Sequence, residues 1–216
     1  MEKNVIKEVR EESTFANFKA KNATQRRVLG RLQTLAEGII ERAEDILTKE
    51  YPFSYGQMIF IWGPPGRGKS HLVEAIVNHI RQNKPELLGK IYFSKSNFTH
   101  ANMCFAEDYD NLPVVVIDDI FSKVNSASNL HPRTDGGALM NFSQEVYERR
   151  KLAIITSNFP LQGEIMKLIA DSDETGRISS RLNELLANSG EIELRGIDYR
   201  TVITKERKKQ KGQFTI

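Results

Sequence analysis

Apolar positions along this chain follow two rhythms. Val28, Leu32, Leu35 and Ile39, continued by Ala43 or Ile46, recur at spacings of three and four. That spacing predicts a helix from about Thr24 with a single apolar stripe. YPFSYG at 51–56 breaks it, and Gln57 opens MIFIW, a nearly continuous apolar run. Such a run suits a strand covered on both faces. A helix is expected from Lys69 to Arg81, ending at Asn83-Lys84-Pro85 because proline disfavours continuation. KIYFS (90–94), VVVIDDI (114–120) and LAIITSN (152–158) read as further strands. Helices are expected over 97–110, from Ala138 to Arg149 with Leu139, Met140, Phe142 and Val146 inward, over 164–170, and from Gly176 to Leu186. Residues 121–137 read as a loop, and EIELRG and YRTVIT as two late strands. Strands alternating with helices, apolar throughout, predict an α/β fold with a mostly parallel central sheet between helical layers. No internal repeat is present.

Composition narrows the class. With 216 residues, 39 % hydrophobic and 27 % charged, the chain suits one α/β domain with short extensions. Its single cysteine, Cys104, excludes an internal disulfide and a thiolate zinc site. Apolar runs of about eight residues fall short of the roughly 18 needed to span a bilayer. The mixed-charge start MEKNVIKEVREE lacks an apolar signal region, so a cytoplasmic location is expected, with no membrane partner. The net charge of +3 is unevenly placed. KERKKQK at 205–211 carries +4 and the remainder sums to −1. A basic tail on a near-neutral body holds nucleic acid phosphates or simply aids solubility.

The chemistry concentrates in GPPGRGKS at 63–70, a complete G-x-x-x-x-G-K-[ST] phosphate loop between an expected strand and an expected helix. Gly63, Gly66 and Gly68, with Pro64, Pro65 and Arg67 between them, let backbone N–H groups curl around phosphate oxygens. The helix start supplies more N–H groups and a positive dipole end. Lys69 is expected to reach the β and γ phosphates of ATP, and Ser70 to give its hydroxyl to Mg²⁺. Forty-eight residues after Ser70, Asp118 and Asp119 close a buried strand. Two carboxylates there need a cation or water. Asp118 is the candidate for Mg²⁺ and Asp119 for polarising the attacking water. If the strand ending at Ser157-Asn158 neighbours this one, Asn158 orients that water or senses the γ phosphate. Arg177 and Arg181 share one face of the last long helix. One of them, Arg181 by preference, is a candidate to project into a neighbouring subunit's ATP site.

These pieces resemble the AAA+ ATPases of the bacterial helicase-loader and transposition-helper group, the DnaC/IstB-like proteins. The resemblance covers residues 13–203 and rests on TFANF with Asn22, GPPGRGKSHL, VVVIDDI, IITSN, GRISSRL and DYR at 198–200. It implies a three-layer AAA+ domain with a reduced or absent helical lid, a flexible segment 1–12 and a basic tail 204–216. Lys69 and Ser70 match the Walker A pair, Asp118 and Asp119 the Walker B pair, Asn158 sensor 1, and Arg181, or else Arg177, the arginine finger. Phe15, Asn17 and Phe18 match the segment packing near the adenine, and His71 continues the nucleotide-binding run. The group's members form ATP-dependent oligomers, so self-association through the ATP interface is implied. The resemblance implies an ATPase in DNA replication, a replicative helicase loader assembling on single-stranded DNA. A transposase helper or a weakly hydrolysing adaptor or inhibitor of a helicase are the alternatives. DNA contacts are implied for the stretch from Phe121 to Lys151, with Lys123, Arg133, Arg149, Arg150 and Lys151 as candidates.

Overall fold

The computed structural model describes residues 9–95, 112–121, 136–167, 170, 173, 176–187, 190–196, 198, 199 and 201. The expected helix over 97–110, most of the loop over 121–137, Cys104, Lys123, Arg133 and the tail 204–216 lie outside them. Five strands form one wholly parallel sheet: β1 (Gln57–Trp62), β2 (Ile91–Lys95), β3 (Val114–Ile120), β4 (Leu152–Ser157) and β5 (Glu191–Glu193). Their spatial order is β2-β3-β4-β1-β5. The described helices include α1 (Ala23–Glu41), α2 (Ala43–Thr48), α3 (Lys69–Asn83), α4 (Gly137–Glu148) and α5 (Arg177–Leu186).

Side-chain alternation sorts the strands onto two cores. Ile59, Ile61, Val114, Val116, Leu152 and Ile154 pack with α1, α2 and α3. Met58, Phe60, Val115, Ile117, Ala153 and Ile155 pack with α4 and α5. Every residue of β4 is buried, which explains why it reads as an unbroken apolar run rather than an alternating one. Fully burying one such side chain stabilises the fold by about 1.5–3 kcal/mol, so the middle of the sheet is its most firmly held part. The structure is thus the three-layer α/β arrangement expected from the sequence.

Several local expectations change. The N-terminal stripe is divided between two helices, because the backbone leaves helical geometry at Arg42. Ala43 and Ile46 are both buried, on α2. Asn22 caps α1 by accepting the Gln25 N–H at 2.8 Å, in line with the preference for a short polar acceptor there. Part of the segment 1–12 expected to be flexible is held: Val9 is buried, and Asn78 donates to the carbonyls of Arg10 and Ser13 at 2.8 and 2.7 Å; residues 1–8 lie outside the described residues. EIELRG supplies β5, but Tyr199 and Thr201 are helical, so the last expected strand does not begin there. Among the described residues no helix is long and apolar enough to cross a membrane.

Candidate nucleotide site

Sheet order builds this site. β4 lies between β1 and β3, so the loop after β1 and the acids ending β3 flank the C-terminal end of β4. That end carries Asn158. Its Oδ1 accepts from Lys69 Nζ at 2.9 Å and its Nδ2 donates to Asp119 Oδ1 at 3.1 Å. Lys69, buried apart from its tip, also donates to the carbonyls of Gly63 at 2.7 Å and Pro64 at 3.1 Å. The loop therefore wraps the ammonium. Gly68, at φ 95°, caps α3 without a side-chain acceptor, so the amides of its first turn are open to an anion. Pro64 and Pro65 are exposed on the loop, and Arg67 is half-buried.

The acids occupy a kink. The register between β3 and β4 shifts after Ile117 by one residue, and Asp119 takes φ 63°. A bulge of this kind re-aims side chains at a strand end. Thr156, fully buried, holds it: its hydroxyl donates to Asp118 Oδ1 at 2.6 Å and accepts the Asp119 N–H at 2.7 Å. Burial pushes the Asp118 carboxyl above its ordinary value. Hydrogen bonds from Thr156 and Ser70 oppose the rise, and the charges of Asp119 and Glu74 add to it. A buried carboxyl joined to a serine hydroxyl, its charged form disfavoured by desolvation, is a hard-oxygen donor pair that gains from a cation. Ser70 and Asp118 therefore fit Mg²⁺.

Glu74 lies one turn beyond Ser70 and is completely buried. Burial alone raises its pKa, but bonds from Lys95, Ser13 and Arg10 outweigh that and hold it below the ordinary 4.5. Lys95 Nζ lies 2.5 Å from Glu74, Ser13 Oγ 2.6 Å and Arg10 Nε 2.8 Å. This straps the N-terminal segment along α3. His71 Nε2 meets the Thr14 carbonyl at 2.9 Å. Phe18 reaches the loop: its ring would lie 2.6 Å from a Cβ on Gly68 and stands 5.6 Å from the His71 ring. Phe15 packs 5.7 Å from the His79 ring instead. His79 is ten residues along α3 from Lys69, about 15 Å at helical rise, so Phe15 anchors the segment away from the loop. Asn17 stays beside it, its backbone N–H bonded to Thr14 Oγ1.

Arg181 is not at this centre. Arg181 donates to Glu148 at 3.3 Å and stacks 5.1 Å over the Tyr147 ring. Those partners end α4 beside Gly56, at the start of β1. The phosphate loop lies at the other end of that six-residue strand, about 20 Å away. Arg177 opens α5. Three of the DNA-contact candidates lie among the described residues. Lys151 is buried and paired with Glu145 at 3.0 Å, so it is part of the fold rather than a surface cation. Arg149 also pairs with Glu145, at 2.9 Å, and Arg150 lies 5.8 Å from the Tyr51 ring.

Sequence reading missed Thr156, Glu74 and Lys95. A threonine directly before Ser157-Asn158 was visible, but its task depends on a bulge in a different strand. Glu74 looked like an ordinary polar helix position until α3 was seen to lie beneath the N-terminal segment.

Comparison with known proteins agrees with this geometry. A family model described as RNA helicase matches residues 59–141, from β1 into α4, less than half of the chain. The fold superposes on a crystal structure of DnaI with a TM-score of 0.54 and 16 % identity, over 88 % of this chain and 91 % of that one. It superposes on the DnaC helicase loader at 0.50 and 20 % identity, over 85 % and 97 %. AMPPCP-bound DnaA from Aquifex aeolicus matches at 0.54 and 18 %, over 94 % of this chain and 56 % of that one, so this chain spans about half its length. The fold is thus the three-layer α/β fold of these neighbours, with the phosphate loop between β1 and α3. These neighbours are consistent with the DnaC/IstB-like resemblance read from the motifs.

Proposed function

We propose that the protein is an ATPase of DNA replication, a helicase loader that assembles on single-stranded DNA. The observation that carries the reading is Asn158, which joins the loop lysine to the second Walker B aspartate. A cation, an amide and a carboxylate thus surround one point, the arrangement phosphoryl transfer to water requires. Lys69 exchanges the Gly63 and Pro64 carbonyls for β and γ phosphate oxygens. Asp119, its position fixed by Thr156 and Asn158, accepts a hydrogen bond from the attacking water. Ser70 and Asp118 hold Mg²⁺, which supplies charge neutralisation between the phosphates. Phe18 and His71 flank the loop on the side where the nucleoside emerges.

Arg181 stands too far from its own loop to serve it and acts, if released from Glu148, in the site of a neighbouring copy. Arg177 is the alternative donor. The tail 204–216 and the surface arginines near 149–150 are the proposed DNA contacts. The partner is a replicative helicase, with a transposase as the second choice. The location is the cytoplasm.

The test is ATP turnover together with light-scattering mass, with and without ATP and single-stranded DNA. A complex that grows only with both, and is lost in Arg181→Ala, supports the reading. Mixing Arg181→Ala with Lys69→Ala protein should restore part of the turnover, because each supplies what the other lacks. A monomer under every condition refutes assembly, and absent turnover in the wild type refutes the ATPase. Removing residues 205–216 should flatten the salt dependence of DNA binding.

A further inference from the structure

The phosphate loop is held from outside as well as from beneath. Leu194 donates its N–H to the Trp62 carbonyl at 2.7 Å, continuing the β1–β5 ladder to the edge of the loop. The Leu194 carbonyl is so close to Gly63 that a Cβ there would stand 2.5 Å from it. Gly63 takes φ 151° at that contact. Further on, the Tyr199 N–H donates to the Gly66 carbonyl at 2.9 Å. The Asp198 carboxylate fills the space a side chain on Gly66 would need. Two of the three loop glycines are thus required by the C-terminal segment as well as by any phosphate.

Tyr199 ties this segment to the N-terminal one. Its hydroxyl donates to the Lys19 carbonyl at 2.5 Å and lies 3.3 Å from Gln25 Oε1, the two acceptors sharing its one proton. Gln25 is fully buried and also accepts the Lys21 N–H at 2.8 Å. The Tyr199 ring stands 5.8 Å from the Phe18 ring, which in turn covers Gly68. Gly66, Tyr199, Phe18 and Gly68 therefore form a closed circuit of contacts, assembled from three parts of the chain. Among the described residues Gln25 Nε2 is buried without a hydrogen-bond partner.

We propose that Tyr199 is a positioning residue for nucleotide binding. It clasps the phosphate loop at Gly66 and so sets the loop's shape from the C-terminal segment. The proposal rests on the nucleotide-site reading above and adds to it a reciprocal link. If the clasp favours the loop shape that binds nucleotide, nucleotide must favour the closed clasp by the same factor.

The experiment measures affinity for a fluorescent ADP analogue, ATP kcat and KM, and hydrogen exchange of the peptide containing Tyr199, on the full chain. Tyr199→Phe loses the hydroxyl and keeps the ring; Tyr199→Ala loses both. Weaker nucleotide binding by about 3–10-fold in Tyr199→Phe and about tenfold or more in Tyr199→Ala is expected, appearing in KM with kcat changed less than threefold. Slower exchange at Tyr199 on adding ADP to the wild type is expected as well. Unchanged affinity in folded Tyr199→Ala overturns the proposal, as does exchange at Tyr199 that ignores ADP. If Tyr199→Ala fails to fold, Tyr199→Phe and the wild-type exchange decide. A wild type that binds no nucleotide overturns the nucleotide-site reading itself, whereas a wild type that binds with indifferent Tyr199 variants overturns only the clasp.

Discussion

Replacing Thr156 by valine removes one oxygen and almost no volume. That oxygen makes two bonds inside the β3 bulge, at 2.6 Å to the Asp118 carboxylate and 2.7 Å from the Asp119 N–H. A hydrogen bond to a charged group contributes about 1.5–3 kcal/mol, and an orphaned buried N–H costs about 1–3 kcal/mol. The two losses overlap, because the bulge can relax once the hydroxyl is gone, so about 3 kcal/mol is expected. In a chain of this size each kcal/mol moves the melting temperature by about 2–4 °C, so Thr156→Val should melt about 6–12 °C lower at pH 7. The loss has a pH signature. Burial already raises Asp118 above its ordinary 3.8, so its ionisation lowers stability as pH climbs through the raised value. Without Thr156 that carboxyl rises further. The gap between variant and wild type should therefore be smallest below pH 3.8 and widen toward neutrality. Thr156→Ser keeps the hydroxyl, loses one methyl worth about 0.8 kcal/mol, and should stay within a few degrees of wild type. Thermal unfolding followed by circular dichroism at several pH values measures all three. A valine variant that melts with the wild type, or a serine variant that melts with the valine one, would refute the account of the bulge.

Asp118→Asn removes a desolvated charge, so in Mg²⁺-free buffer at pH 7 it should melt at or above the wild-type temperature while losing ATP turnover; a clear drop in melting temperature contradicts the assigned burial cost. Glu74 sits below its ordinary 4.5, so it adds stability above that pH and the contribution disappears as pH falls through its lowered value. Glu74→Gln should therefore lower the melting temperature at pH 7 and converge on wild type once pH falls below the lowered value, and parallel curves would count against the Lys95–Glu74–Arg10 network. Lys151→Met should leave the salt slope of DNA binding unchanged, since its ammonium faces Glu145 inside the fold; a flattened slope would return Lys151 to the DNA surface.

Much of the site was legible because its signals are local. The strand, the glycine loop and the helix start are contiguous in sequence, and Asp118-Asp119 announce themselves by ending the run Val114–Ile117. What stayed hidden depends on neighbours in space. Asn158 could be given a role only on the condition that its strand adjoins β3, and parallel strands carry no hairpin signal to reveal their order. Lys151 counted as a basic surface residue because nothing in its neighbourhood marks it as buried. The pairing of Arg181 could not be read from its own helix, because Glu148 lies 33 residues away on α4. Phe15 and Phe18 read alike in TFANF, yet a turn over 15–17, closed by the Phe18 N–H on the Phe15 carbonyl at 3.4 Å, sends their rings to different partners, His79 and His71.

The circuit through Phe18, Gly66 and Tyr199 also sets an order of assembly. Tyr199 and Lys19 touch across 180 residues of chain, a closure whose entropy must be met before the contact stabilises anything. The sheet can gather around β1, β3 and β4 while the C-terminal segment is still missing. On a ribosome, residue 199 emerges after every strand of the sheet has left the tunnel. A nascent chain could therefore hold a nearly finished sheet whose phosphate loop is still without its clasp. Competence for nucleotide would then follow the closing of the sheet, and its appearance would report that Tyr199 has joined the loop.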